Sequence, residues 1–273
     1  MSFNLIVLPG DGVGPEVIAE AVKVLQAIGR RYGHIFNLNQ RLVGGAAIDA
    51  EGVAVSAETL KLCKKADAVL LGAVGGPKWD DPLAKIRPED GLLELRKSLG
   101  LFANLRPVHV YPMLVDSTNL KPEVIKGVDF IFVRELTGGL YFGKPKKRWE
   151  TEKGRKAVDS MLYSEQEIER IVRVGFELAR RRQKKLISVD KANVLESSRL
   201  WRQVAIEVAK EYPDVSLEQR TAILAEYHAY LSASAPPASP LHALIAGSTG
   251  ADSKQVHKVL LAYRLGRFRE RWK

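Results

Sequence analysis

The sequence predicts an α/β fold, and three observations predict it. Apolar runs of strand length alternate with segments of helical periodicity. Glycine and proline stand at the junctions between them. One run, ADAVLLGAV over residues 66–74, is apolar almost throughout, as a strand covered on both faces must be.

The elements follow in order. Residues 3–8 are a first strand. No basic region precedes them and the apolar stretch is short, so they do not read as a signal peptide. Residues 10–14 form a turn. Pro15 then opens a helix through about residue 31, because proline suits a first helical turn. Residues 36–42 form a strand, 56–65 a helix, 66–74 the buried strand and 91–99 a short helix. Further strands are expected over 102–111, 129–134 and 185–190. Residues 153–163 alternate weakly, as an extended arm would. Residues 165–182 place Ile168, Ile171, Val172, Gly175, Phe176 and Ala179 at helical spacing. Residues 194–211 do the same with Leu200, Val204 and Val208, and Pro213 ends that helix. A strand begins at 215–218. Beyond it, 219–234 is helix-like, 235–240 (APPASP) a linker and 253–271 a basic helix. The chain contains no internal repeat.

Composition narrows the function classes. Hydrophobic residues make up 46% and charged residues 27%, ordinary for a soluble globular protein. No apolar run approaches the roughly 20 residues of a membrane span. The single cysteine, Cys63, forbids an internal disulfide and fits a reducing cytoplasm. Its helical surroundings make it a buried spectator. The net charge of +10 raises the question of nucleic acid. However, residues 219–273 hold 8 of the 42 Lys and Arg and 3 of the 32 Asp and Glu. Half the excess therefore lies in that stretch, and the remainder is nearly balanced, which argues against a nucleic-acid partner.

Several strings carry chemistry. Gly10-Asp11-Gly12-Val13-Gly14 lies between a strand and a helix. The dinucleotide fingerprint needs G-x-G-x-x-G; here the third glycine comes one residue early and proline follows. The spacing argues for a tight glycine turn and against a Rossmann loop. Arg96, Arg106 and Arg134 are candidates for a carboxylate clamp, since guanidinium forks match two-oxygen acceptors. Each one alone reads more readily as a surface or structural salt bridge. Arg134 ends an apolar strand and leads into Glu135-Leu136-Thr137-Gly138-Gly139-Leu140-Tyr141. The glycine pair makes a sharp turn that presents Tyr141, a candidate proton donor. Lys191 follows another apolar strand and is a candidate base.

Taken together, LPGDGVGPEV, LGAVGGPKWD, LLELRKSLGLFANLRPV, VRELTGGLYFG and VDKANVLESSRLWR resemble the 3-isopropylmalate dehydrogenase family, in its order and near its spacing. The resemblance covers residues 1–218. It implies an isocitrate/isopropylmalate dehydrogenase-like sheet with flanking helices. Residues 1–106 would begin the cofactor-side domain. Residues 107–218 would form the substrate and dimerisation side, with an arm at about 151–163. The implied reaction is NAD-dependent oxidative decarboxylation of 3-isopropylmalate with Mg2+ or Mn2+, in leucine biosynthesis. Arg96, Arg106 and Arg134 would clamp the two carboxylates. Leu92, Leu93 and Val194 would meet the isopropyl group. Lys191 would take the C2-hydroxyl proton through a water, and Tyr141 would help protonate the enol. Gly75, Gly76, Pro77, Lys78, Glu89 and Asn193 would lie on the cofactor side. A homodimer would let Lys191 reach the neighbouring site.

The same resemblance exposes a break. The strand beginning at Val215 should continue to a metal-binding aspartate, yet that position is Ile223, which offers no oxygen to a hard cation. The family's later aspartates and its adenosine-binding loop find no match in residues 219–273. A frame change, a natural truncation or fusion, and a deliberate chimera would each produce such a break. The expectation is a clamp that binds substrate weakly while turnover fails, and apolar faces left exposed. The alternative is a non-enzymatic fragment whose basic tail contacts an acidic partner, for which salt-dependent binding is the discriminating measurement.

Overall fold

The computed structural model describes residues 1–117 and 120–221. The chain forms two compact units. Among the described residues, one holds 1–106, 132–186 and 200–216; the other holds 107–131, 187–199 and 217–221.

The first unit is built on β1 (Ser2–Gly10). Leu5, Ile6, Val7 and Leu8 are all buried because β1 is the middle strand of a parallel sheet. Helix α1 (Gly14–Tyr32) has Pro15 in its first turn and stops at Gly33, whose φ of 69° is left-handed. The edge strand β2 (Ile35–Gln40) pairs with β1. It ends two residues earlier than the sequence predicts, because the chain turns toward Gly44, where φ is 75°. Helix α2 (Gly45–Glu51) follows; it is too short to show a period in sequence. Ser56 caps α3 (Ala57–Lys65) by accepting the Thr59 N–H. Strand β3 (Ala68–Ala73) pairs with β1 on its other side. Helix α4 (Pro88–Ser98) packs Leu95 against Ile6, Leu8, Val43 and Cys63. Burial pushes the Cys63 thiol above its ordinary value, which keeps it protonated and inert, in line with a spectator role.

Strands β4 (Ala103–His109) and β5 (Asp129–Glu135) pair with each other, and the four-residue helix α5 (Pro122–Ile125) lies between them in sequence. Beyond β5 comes an antiparallel hairpin, β6 (Lys146–Thr151) and β7 (Gly154–Asp159). Gly154, at φ 98°, makes its turn. Strand β6 reads KKRWET and carries no apolar alternation, so only the later half of the hairpin shows in the sequence.

Helix α6 (Glu165–Arg180) opens with a Ser164/Glu167 capping box and buries Ile168, Ile171, Val172, Gly175, Phe176 and Ala179. These are the six residues its periodicity selects. Strand β8 (Lys185–Asp190) precedes α7 (Glu196–Ala209), which buries Val204, Ala205 and Val208. Tyr212 then stacks on Phe176 with centroids 4.7 Å apart. Strand β9 (Ser216–Thr221) pairs with β8. Gln219, Arg220 and Thr221 are therefore strand, not the start of the helix expected at 219; ladder bonding to β8 overrides a weak helical pattern. The remainder of the expected helical tail, with Ile223 and the basic helix, lies outside the described residues.

Phe130 and Phe132 on β5 and Ile187 and Val189 on β8 are exposed. Among the described residues, no helix is long and apolar enough to cross a membrane.

Candidate active site

Helix α4 is fixed by Leu95 in the core, and this orients the rest of it. Leu92, Leu93 and Arg96 fall three and four residues apart, on one helical face, and all three are half-buried. Arg106 leaves β4 exposed, its Nε donating to Asn104 Oδ1 at 2.7 Å. Arg134 leaves β5, and its guanidinium carbon lies 6.0 Å from the centre of the Tyr141 ring. Burial, and then the charges of Arg134 and Arg106, push the Arg96 guanidinium below its ordinary value, while Tyr141 acts in the opposite sense. Arg106, Arg134 and Tyr141 are thus each within electrostatic reach of Arg96, all in the first unit. Three guanidinium groups in one place concentrate positive potential and suit a small dianion.

Tyr141 is presented by the turn the sequence suggests. Gly139 has a φ of 73°, and a Cβ there would overlap the Tyr163 hydroxyl, so only glycine fits. Its N–H donates to Leu162 O at 2.7 Å, and Gly143 N–H donates to Gly139 O at 2.8 Å. Tyr163 is partly buried; that burial, and then the Glu135 charge, pushes its phenol above its ordinary value.

Of the residues assigned by resemblance to the cofactor side, Gly75, Gly76, Pro77, Lys78 and Glu89 form a second group in the same unit, whereas Asn193 falls in the second unit. Gly75 has a φ of 97°, and a Cβ on it would come 2.8 Å from Glu89 Oε1. Gly76 precedes a single 3-10 turn, Pro77–Trp79. Lys78 Nζ bonds Asp49 at 2.5 Å, and Trp79 Nε1 donates to the same carboxylate at 3.2 Å. Both bonds hold Asp49 below the usual carboxylate range. Asp11, read from the sequence only as part of a glycine turn, ties this region together. Its buried carboxylate accepts N–H bonds from Gly45 (2.7 Å), Ala46 (2.7 Å) and Gly75 (2.8 Å). The partners of Asp11 are 34 to 64 residues away, so no local pattern marks it.

Lys191, Asn193 and Val194 share the turn between β8 and α7, in the second unit. Lys191 O accepts the N–H groups of Val194 and Leu195, both at 3.0 Å. The buried Asp190 accepts the Ala192 N–H at 3.0 Å. Lys191 is half-buried; Asn193 and Val194 are exposed. Among the described residues, no three His, Cys, Asp or Glu side chains gather as a metal site.

Comparison with known proteins places the chain in a family. The isocitrate/isopropylmalate dehydrogenase family model matches residues 4–226. The match extends past the break expected after Glu218, so residues 219–226 belong with the family region. A 3-isopropylmalate dehydrogenase of Dehalococcoides mccartyi is 67% identical over 219 residues, spanning 80% of this chain and 60% of that protein. One from Geobacillus kaustophilus is 60% identical over 217 residues, spanning 80% and 58%. Isocitrate dehydrogenase from Methylococcus capsulatus superposes with a TM-score of 0.70 at 27% identity, over 84% of this chain and 63% of that one. A β-decarboxylating dehydrogenase from Thermococcus kodakarensis gives 0.57 at 28% identity, over 84% and 67%. The chain thus spans about three fifths of the curated relatives it matches. A family match over residues 4–226, with a relative 67% identical across four fifths of the sequence, leads to one conclusion: the chain belongs to the isocitrate/isopropylmalate dehydrogenase family.

Proposed function

We propose that the chain carries the dicarboxylate clamp of an NAD-dependent oxidative decarboxylase whose substrate is 3-isopropylmalate. The observation that carries this reading is the gathering of Arg96, Arg106, Arg134 and Tyr141 in one unit. The substrate has two carboxylates, and three guanidinium forks supply their counter-charge. Leu92 and Leu93, on the Arg96 face of α4, offer an apolar surface for a branched alkyl group. That pairing of an apolar face with a cationic one is what separates an isopropyl-bearing diacid from a more polar one.

In this reading Lys191 accepts the proton of the C2 hydroxyl, in a homodimer in which it serves the neighbouring copy. NAD, when bound, supplies the hydride acceptor. The Gly75–Lys78 backbone and Glu89 would hold the cofactor's reactive end, the bare Gly75 letting the Glu89 carboxylate come close to this backbone. The β-keto acid then loses CO2, the electron pair of the broken C–C bond moves into an enolate, and Tyr141 protonates the carbon that bore the lost carboxylate. The described residues hold no carboxylate cluster fit for a divalent ion, so no step is assigned to one.

Calorimetric titration of the chain with 3-isopropylmalate tests the clamp. Expected is salt-sensitive binding that is tighter than for isovalerate, a monocarboxylate, and is lost in Arg96→Gln. Equal affinity for the mono- and dicarboxylate, or no dicarboxylate binding at millimolar concentration, would overturn the reading.

A further inference from the structure

Directly after Arg134 stands a carboxylate that this chemistry leaves unused. The Glu135 side chain has no exposed surface. Its Oε2 accepts the backbone N–H groups of Thr137 (2.8 Å) and Gly138 (2.7 Å). Its Oε1 accepts the Thr137 hydroxyl and Arg170 Nη2, both at 2.7 Å. Arg170 comes from α6. It donates as well to Thr137 Oγ1 at 2.5 Å and lies over the Phe102 ring, 4.7 Å from its centre. Phe102 in turn accepts the Leu136 N–H at 2.8 Å.

The location of these bonds matters more than their number. Arg134 and Tyr141 are both exposed and flank a stretch with two adjacent glycines. Glycine pairs do not hold a direction by themselves. The stretch is held from below: Glu135 binds its first two turning amides, Arg170 grips Glu135 and Thr137 together, and Leu162 takes the Gly139 amide. The backbone between the two outer ends of the clamp is thus braced by a salt bridge in which neither the Arg134 nor the Tyr141 side chain takes part.

The geometry points to Glu135 and Arg170 as a positioning pair that sets where Arg134 and Tyr141 face the dicarboxylate. This deepens the clamp reading and rests on it. The competing role is fold support alone. The two differ in what happens when both charges go. Breaking one half leaves a buried group uncompensated and destabilises the fold, whereas replacing both halves with neutral groups of similar size restores much of the stability. A positioning pair, unlike a purely structural one, leaves a lasting defect in the loop after the fold has recovered.

The test compares the full chain with Glu135→Gln, Arg170→Met and the double variant. Three quantities are read: melting temperature, amide hydrogen exchange over residues 136–143, and calorimetric affinity for 3-isopropylmalate. Expected are lowered melting in both single variants and near-parental melting in the double. The double variant still exchanges 136–143 faster and binds the dicarboxylate about tenfold to hundredfold more weakly, as loss of placement on the ångström scale does. Parental exchange and parental affinity in a double variant that melts like the parent would overturn the proposal. Should the double variant fail to recover, Thr137→Val replaces it, because it removes the hydroxyl bridge and keeps the ion pair. If the parent itself binds no dicarboxylate, the clamp reading falls, and the exchange of 136–143 decides the positioning role by itself.

Discussion

Glycine placement shows how finely single residues are specified. Gly10 and Gly33 both have left-handed backbones, with φ of 72° and 69°. They differ in their surroundings. A Cβ on Gly10 would run into the carbonyl of Ala73, while one on Gly33 would meet nothing within 4 Å. Gly33→Ala should then cost only the left-handed strain of about 1–2 kcal/mol. Gly10→Ala should cost roughly 3 kcal/mol or more, because the paired strands must also move apart. Denaturant melts of the two variants check the order. For Asp11→Asn, an amide NH2 replaces an oxygen that faces a backbone N–H, and a loss of about 1–3 kcal/mol is expected. Legibility divides along the same line. The roles expected of Arg96, Arg134 and Tyr141 come from short strings taken together, not from any one residue. Asp11 acts through amides brought by other elements, and Glu135 through a guanidinium from α6, and only the folded chain shows those partners.

Among the elements, α6 was the most legible, because its buried stripe follows the helical period without interruption and its cap is spelled out by Ser164 and Glu167. Strand β6 was the least legible, since five of its six residues are charged or polar. Helix α6 is also tied to the turn after α7. Arg173 bonds Glu211 at 2.6 Å and Arg180 bonds Asp214 at 2.7 Å. Those guanidinium groups hold both carboxyls below their ordinary values. A carboxyl whose folded-state value is lowered lends stability above its unfolded value and loses it as pH falls through the folded one. The Arg173→Gln/Arg180→Gln variant should therefore melt below the parent at neutral pH, and the gap should close as pH drops beneath the usual carboxylate range. A gap that persists in acid would show that packing, not charge, joins these segments. The pairs are partly solvated, so the difference will be modest.

For the molecule as a whole, the alternation of strands and helices revealed the fold class, and the parallel β2–β1–β3 order agrees with it. What the alternation could not reveal is how the chain divides: β4 and β5 each run from one compact unit into the other, and no composition change marks the crossing. Exposed Phe130, Phe132, Ile187 and Val189 are the molecular-scale liability. Apolar side chains on strand faces promote self-association. Phe132→Ser combined with Val189→Thr should lower binding of a hydrophobic dye and raise the concentration at which the chain stays monodisperse in light scattering; unchanged values would mean these faces are not the sticky ones.

The arginine trio also bears on folding stability. Like charges held together repel, and that strain is released when the polypeptide opens, so Arg96, Arg106 and Arg134 tax the native state they belong to. A solute that offsets the repulsion favours the native state by mass action. Sulfate should raise the unfolding temperature more than chloride at matched ionic strength, and that advantage should shrink when Arg96 is made glutamine.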